Sequence, residues 1–147
     1  MTVYITQVLM AFLGTLGFSI VFKSKNNFIL PNSLGGGLVW ISYLIFYHFS
    51  NHIFLSYMLS AILSGLYSET IARIYKTPAT TVLIPVLVVL IPGSSLYYTI
   101  QALFNDNISV FVEKGTETVT IATAIAIGII IVSTILKIAN SISQHKK

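Results

Sequence analysis

Polar and apolar positions do not alternate along this chain. They segregate into long uncharged runs, and the few charged residues collect in the short segments between them. A run of about 20 apolar residues is what a helix needs to cross a hydrocarbon core of about 30 Å. The pattern predicts an all-α membrane protein with about five transmembrane helices, over residues 3–22, 35–49, 53–74, 79–104 and 118–138, in a single domain covering 1–147.

The first run carries Ala11, Gly14 and Gly17, a smooth stripe suited to close helix contact, and Lys23 and Lys25 close it. With no basic segment before it and no small-residue cleavage site after it, it reads as a retained span, not a signal peptide. Residues 26–33 hold turn formers and Pro31, after which Gly35-Gly36-Gly37 opens the second run. Three adjacent glycines read as a flexible start to that helix, with a close backbone approach as the alternative. In the third run Ser56, Ser60, Ser64 and Ser68 recur at every fourth position. This is a small-residue ridge for helix packing in preference to a hydroxyl-lined pathway. The fifth run repeats the device with Thr116, Thr120, Ala124 and Gly128, and residues 105–117 before it form an acidic, solvated loop.

The fourth run is the unusual one. Twenty-nine uncharged residues separate Lys76 from Asp106, and as one helix they would extend about 44 Å, well beyond the hydrocarbon thickness. Pro85 and Pro92 each remove a backbone donor, Gly93 frees the backbone, and Ser94 and Ser95 suit a helix start. The segment is therefore expected to break at Pro92-Gly93 into two half-helices. Unpaired backbone groups in a bilayer are tolerated where protein or a water-filled cavity meets them, so such a break lines a permeation or binding site.

Composition narrows the function. With 55% hydrophobic and 8% charged residues, the 147-residue chain cannot clothe a water-soluble globule. The absence of cysteine removes disulfides, thiolate nucleophiles and cysteine-held metals. The net charge of +4 reports orientation, not nucleic acid, because the basic residues sit between the spans. With five crossings, Lys23, Lys25, Arg73, Lys76, Lys137, Lys146 and Lys147 share one side and Lys114 alone takes the other. The positive-inside rule then places the N-terminus outside and the C-terminus in the cytoplasm.

Few residues offer chemistry. Glu69 and Arg73 stand one turn apart at the end of the third run, either as a plain surface ion pair or as a proton-coupling and gating pair. At the break, Pro92, Gly93, Ser94 and Ser95 would present free amides and a positive helix end to a carboxylate, with Tyr97 adding a hydroxyl or a ring. Carbonyls ending the first half-helix would face an ammonium or a cation, so the pair could hold an amino acid. His48 and His52 have a helical ligand spacing but no third ligand, and Asn107-Ile108-Ser109 is a glycosylation triplet common by chance. No metal site, cofactor motif or catalytic set can be assembled, which argues against an enzyme.

Ser68-Glu69, Ala72-Arg73, Lys76, Pro78-Ala79, Ile84-Pro85, Ile91-Pro92-Gly93 and Tyr97 together resemble the threonine/serine exporter family, in its small-subunit or C-terminal module. The likeness covers nearly the whole chain, back to Asn26 through Trp40 and forward to Ala126 and Gly128, and departs at Ser94-Ser95, where a further glycine is expected. It implies a bacterial inner-membrane subunit working with a larger membrane subunit of the same family, and a homo-oligomer is compatible with it. It also implies proton-driven export of a small carboxylate-bearing solute such as threonine or serine, with dicarboxylates such as succinate as the alternative. A non-transporting assembly subunit is the competing role.

Overall fold

The computed structural model describes residues 2–144. Lys146 and Lys147 of the basic C-terminal cluster lie outside them. Six helices follow one another: α1 (Thr2–Val21), α2 (Asn26–Ser50), α3 (Ile53–Tyr75), α4 (Thr80–Leu87), α5 (Gly93–Phe104) and α6 (Ile108–Gln144), with a single 3-10 turn, Val88–Leu90, after α4. No strand occurs among the described residues, and the chain is an all-α membrane protein. Helices α1, α2 and α6 are long and apolar enough to cross a bilayer, and the bent α4–α5 pair makes a fourth candidate. Helix α3, at 23 residues, is long enough but is not among these candidates; it carries four serines along with Glu69 and Arg73.

Each reversal of direction is made by one residue in the left-handed region: Lys23, Asn51, Lys76 and Asp106, with φ between 49° and 51°. Asn and Asp tolerate this conformation, and the two lysines gain from lying at helix C-termini, where the dipole favours a cation. Between α4 and α5 no such residue occurs, so the chain bends there without turning back. One consequence is that α3 and α6 run in the same sense. Met58 and Ala61 lie against Gly128, and Gly65 lies one turn further on against Val132.

Glycines set the closest of these contacts. A side chain on Gly36 would collide with Thr15 of α1, and one on Gly35 with the Tyr67 ring, whose hydroxyl donates to the Pro31 carbonyl at 2.6 Å. The triple glycine is therefore a close-approach surface in the middle of α2. The helix is already formed at Asn26, ahead of the span read at 35–49, and includes Pro31. The serine ridge of α3 is fully buried, as packing requires, and Ser56, Ser64 and Ser68 donate to carbonyls of their own helix or the turn before it.

Two expectations change at α6. Only Asn105, Asp106 and Asn107 lie outside helix between α5 and α6, so the acidic segment is helical from Ile108 on. The Asn107 side chain accepts from the Val110 amide at 3.2 Å and starts that helix. The buried stripe is Ile121, Ala124, Gly128 and Val132, whereas Thr116 and Thr120 are exposed and donate to their own helix. At 37 residues α6 is about 55 Å long, so its first turns extend beyond the bundle with α5 alongside.

Candidate functional site

The fourth segment is interrupted where its prolines and glycine predict. Thr80–Leu90 and Gly93–Phe104 meet at 53°. Pro92 has no N–H to return to the turn before it, and the Gly93 amide donates instead to the Ile91 carbonyl at 2.7 Å. Helical bonding resumes only at the Leu96 amide, which reaches the Pro92 carbonyl at 2.9 Å. The carbonyls of Val89 and Leu90 and the amides of Ser94 and Ser95 are left without a backbone partner among the described residues. Open carbonyls thus end the first half and open amides begin the second.

Side chains divide this site into two faces. The first half-helix is anchored in the core: Val82, Val86 and Leu90 are fully buried with Val39 and Ala61. Beside its last turn lies a recess of about 330 Å³, bounded by Gln7, Ala11 and Gly14 of α1, by Trp40, and by Val88 and Val89. The Trp40 Nε1 is buried there without a partner. The second half-helix packs chiefly on α6. Gly93, Ser94, Tyr97 and Tyr98 are exposed and Pro92 is half-buried, while Ser95 is 5% exposed. A Cβ on Gly93 would meet nothing within 4 Å, and its φ is not positive, so neither a close contact nor the backbone conformation demands glycine there.

Ser95 brings in residues that sequence reasoning missed. Its hydroxyl donates to Glu117 Oε1 at 2.9 Å, and the other oxygen of that carboxylate takes a 2.8 Å bond from Lys114 Nζ. Glu113 lies 3.5 Å from the same ammonium. The Lys114–Glu117 spacing of three residues is a readable helix pair once the segment is known to be helical. Nothing local connects either residue to Ser95, from which Glu117 is 22 positions away.

Glu69 and Arg73 do form the i,i+4 pair, Nε to Oε1 at 3.0 Å, with Arg73 58% and Glu69 25% exposed. They border a groove beside Leu136 and Ala139 of α6. Leu136 lies nineteen positions beyond Glu117, about 28 Å at about 1.5 Å per residue, so this pair and the break occupy different ends of the molecule. His48 and His52 are separated by Asn51, whose left-handed φ of 51° ends α2 between them, and the helical spacing is not realised. No group of three or more potential metal-binding side chains occurs among the described residues.

No match was found among curated proteins or among solved structures. The family model described as threonine/serine exporter, ThrE, matches residues 7–135, nearly the full length and including α3, the broken segment and the buried stripe of α6. The chain, a multi-pass membrane protein by its apolar helices, therefore belongs to the threonine/serine exporter family of transporters.

Proposed function

We propose that this chain is a bacterial inner-membrane subunit that exports small hydroxy amino acids such as threonine and serine together with a larger membrane subunit of the same family. The observation that carries this reading is the opened backbone at the break: free carbonyls at Val89 and Leu90 and free amides at Ser94 and Ser95 match the two charged ends of an amino acid. Pro92 and Gly93 set the bend, Ser94 and Ser95 offer the solute carboxylate their amides, and Tyr97 closes the exposed side. The parallel packing of α3 and α6 supports five crossings, because α4 and α5 must together return the chain across the bilayer between them. The N-terminus is then outside and the C-terminus cytoplasmic. Glu69 and Arg73 take the gating role at the cytoplasmic end of α3.

A second reading, an assembly subunit, draws on the exposure of Gly93, Ser94 and Tyr97, which leaves one side of the site to be completed by another chain. The test is efflux of labelled threonine, serine and succinate from proteoliposomes, with and without the larger subunit, across an imposed proton gradient. Gradient-dependent threonine or serine efflux, lost in Ser94→Pro within an intact complex, supports transport through this chain; succinate efflux alone moves the substrate to dicarboxylates. If such variants only dissociate the complex, or no solute moves, the assembly reading replaces it.

A further inference from the structure

Helix α5 is the least anchored helix of the molecule. It joins the core through the chain entering it at Pro92, and its packing is chiefly on α6. Its N-terminal turn is attached there by one buried side chain, Ser95, and that attachment ends on one ionisable group, Glu117. We infer that Glu117 is the positioning residue that holds the second half-helix against α6 when ionised and releases it when protonated. The inference rests on the transport reading for its purpose and on the geometry alone for its content.

The chemistry follows from the bonds present. An ionised carboxylate accepts from Ser95 on one oxygen and from Lys114 on the other, so both oxygens are used and α5 is tied to α6 through charge-assisted bonds. The negative charge also stands beside the open amide end of α5, where the helix dipole favours an anion. Adding a proton to one oxygen cancels that attraction and converts an acceptor into a donor. Lys114 then keeps Glu113, 3.5 Å away, as its remaining carboxylate partner. The groups facing Glu117 are Lys114 and Glu113 on α6, Ser95 on α5, and the phenols of Tyr57 on α3 and Tyr43 on α2, which lie within its electrostatic reach. Among these, Lys114 is the only cation.

Release would alter the break itself. Freed from α6, the first turn of α5 can swing on Pro92 and Gly93, where no helical bond crosses from Leu90 to Ser94 and no side chain crowds Gly93. The spacing between the open carbonyls and the open amides then changes with the protonation of Glu117, which is bonded to the Ser95 side chain.

The natural chain contains no cysteine, so spin labels can be placed cleanly. Leu96→Cys on α5 and Val119→Cys on α6 are both exposed and flank the contact. Two donors favour the ionised carboxylate, so pulsed electron resonance on the full chain in lipid vesicles is expected to give one distance at pH 8 and a second, longer population only below about pH 4. Glu117→Gln should show the longer population at every pH, and Ser95→Ala should enrich it at pH 8. Lys114→Gln should move the transition to higher pH, and Asp106→Asn, in the exposed turn, should behave as the parent. A single unchanging distance in the parent and in Glu117→Gln would overturn the inference. That outcome says nothing about solute efflux, so it is distinguishable from failure of the transport reading, in which the distances respond but no solute moves.

Discussion

A methyl group placed on Gly128 would sit 2.6 Å from the Met58 carbonyl and 2.8 Å from the Ala61 side chain, in the middle of the α3–α6 contact. Backbone has to shift to admit it, and overpacking of this kind costs about 1–3 kcal/mol. Gly128→Ala should therefore lower the thermal unfolding midpoint of the protein in detergent, followed by intrinsic fluorescence. Gly93 is the same residue type under the opposite constraint: its φ is not positive and its surroundings are open. Gly93→Ala should leave that midpoint unchanged or raise stability by up to about 1 kcal/mol, since alanine loses less backbone freedom on folding. Ser60 gives a third case at this scale. Its hydroxyl is buried on α3 with no hydrogen-bond partner, and an unmet buried group costs about 1–3 kcal/mol. Ser60→Ala should be at least as stable as the parent in the same melt; a marked loss would mean that the hydroxyl has a partner in the membrane-embedded protein.

The broken segment is where the elements act as more than packing units. A proline within a helix costs about 3 kcal/mol, and here the cost falls between a half-helix locked into the core and one lying on α6. Pro92→Ala restores an N–H able to reach the Val88 carbonyl and lets the two halves approach one rod. The expected result is a higher unfolding midpoint together with efflux slowed by about tenfold, a barrier increase of about 1.4 kcal/mol. Full efflux from a stabilised variant would separate the bend from transport. The other helices show how small residues substitute for a hydrophobic driving force in lipid. Thr15 packs on Gly36, and Val132 on Gly65, each pair drawing backbones together where dispersion contacts are the main reward.

For the whole molecule, the deciding feature is the sense of each helix. Two left-handed reversals, at Lys76 and Asp106, with one bend between them make α3 and α6 parallel, the arrangement that the proposed five crossings require. Single cysteines at His52 and Asn105 should react with an impermeant maleimide from outside the cell, and those at Ser24 and Thr77 only after the membrane is opened. Labelling of Asn105 from the same side as Thr77 would make the bent pair re-entrant. The apolar runs, the position of the break and the pairing of Glu69 with Arg73 were legible in the chain itself. They depend on the transfer energy of side chains, on a missing proline N–H and on residues one helical turn apart, all local properties. The continuation of α2 through Pro31 and the three glycines was not legible, because their neighbours, Thr15 and Tyr67, come from other helices. Nor was the Ser95–Glu117 bond. It exists because the reversal at Asp106 lays α5 back along α6, and only that packing decides which polar group meets another across 22 residues.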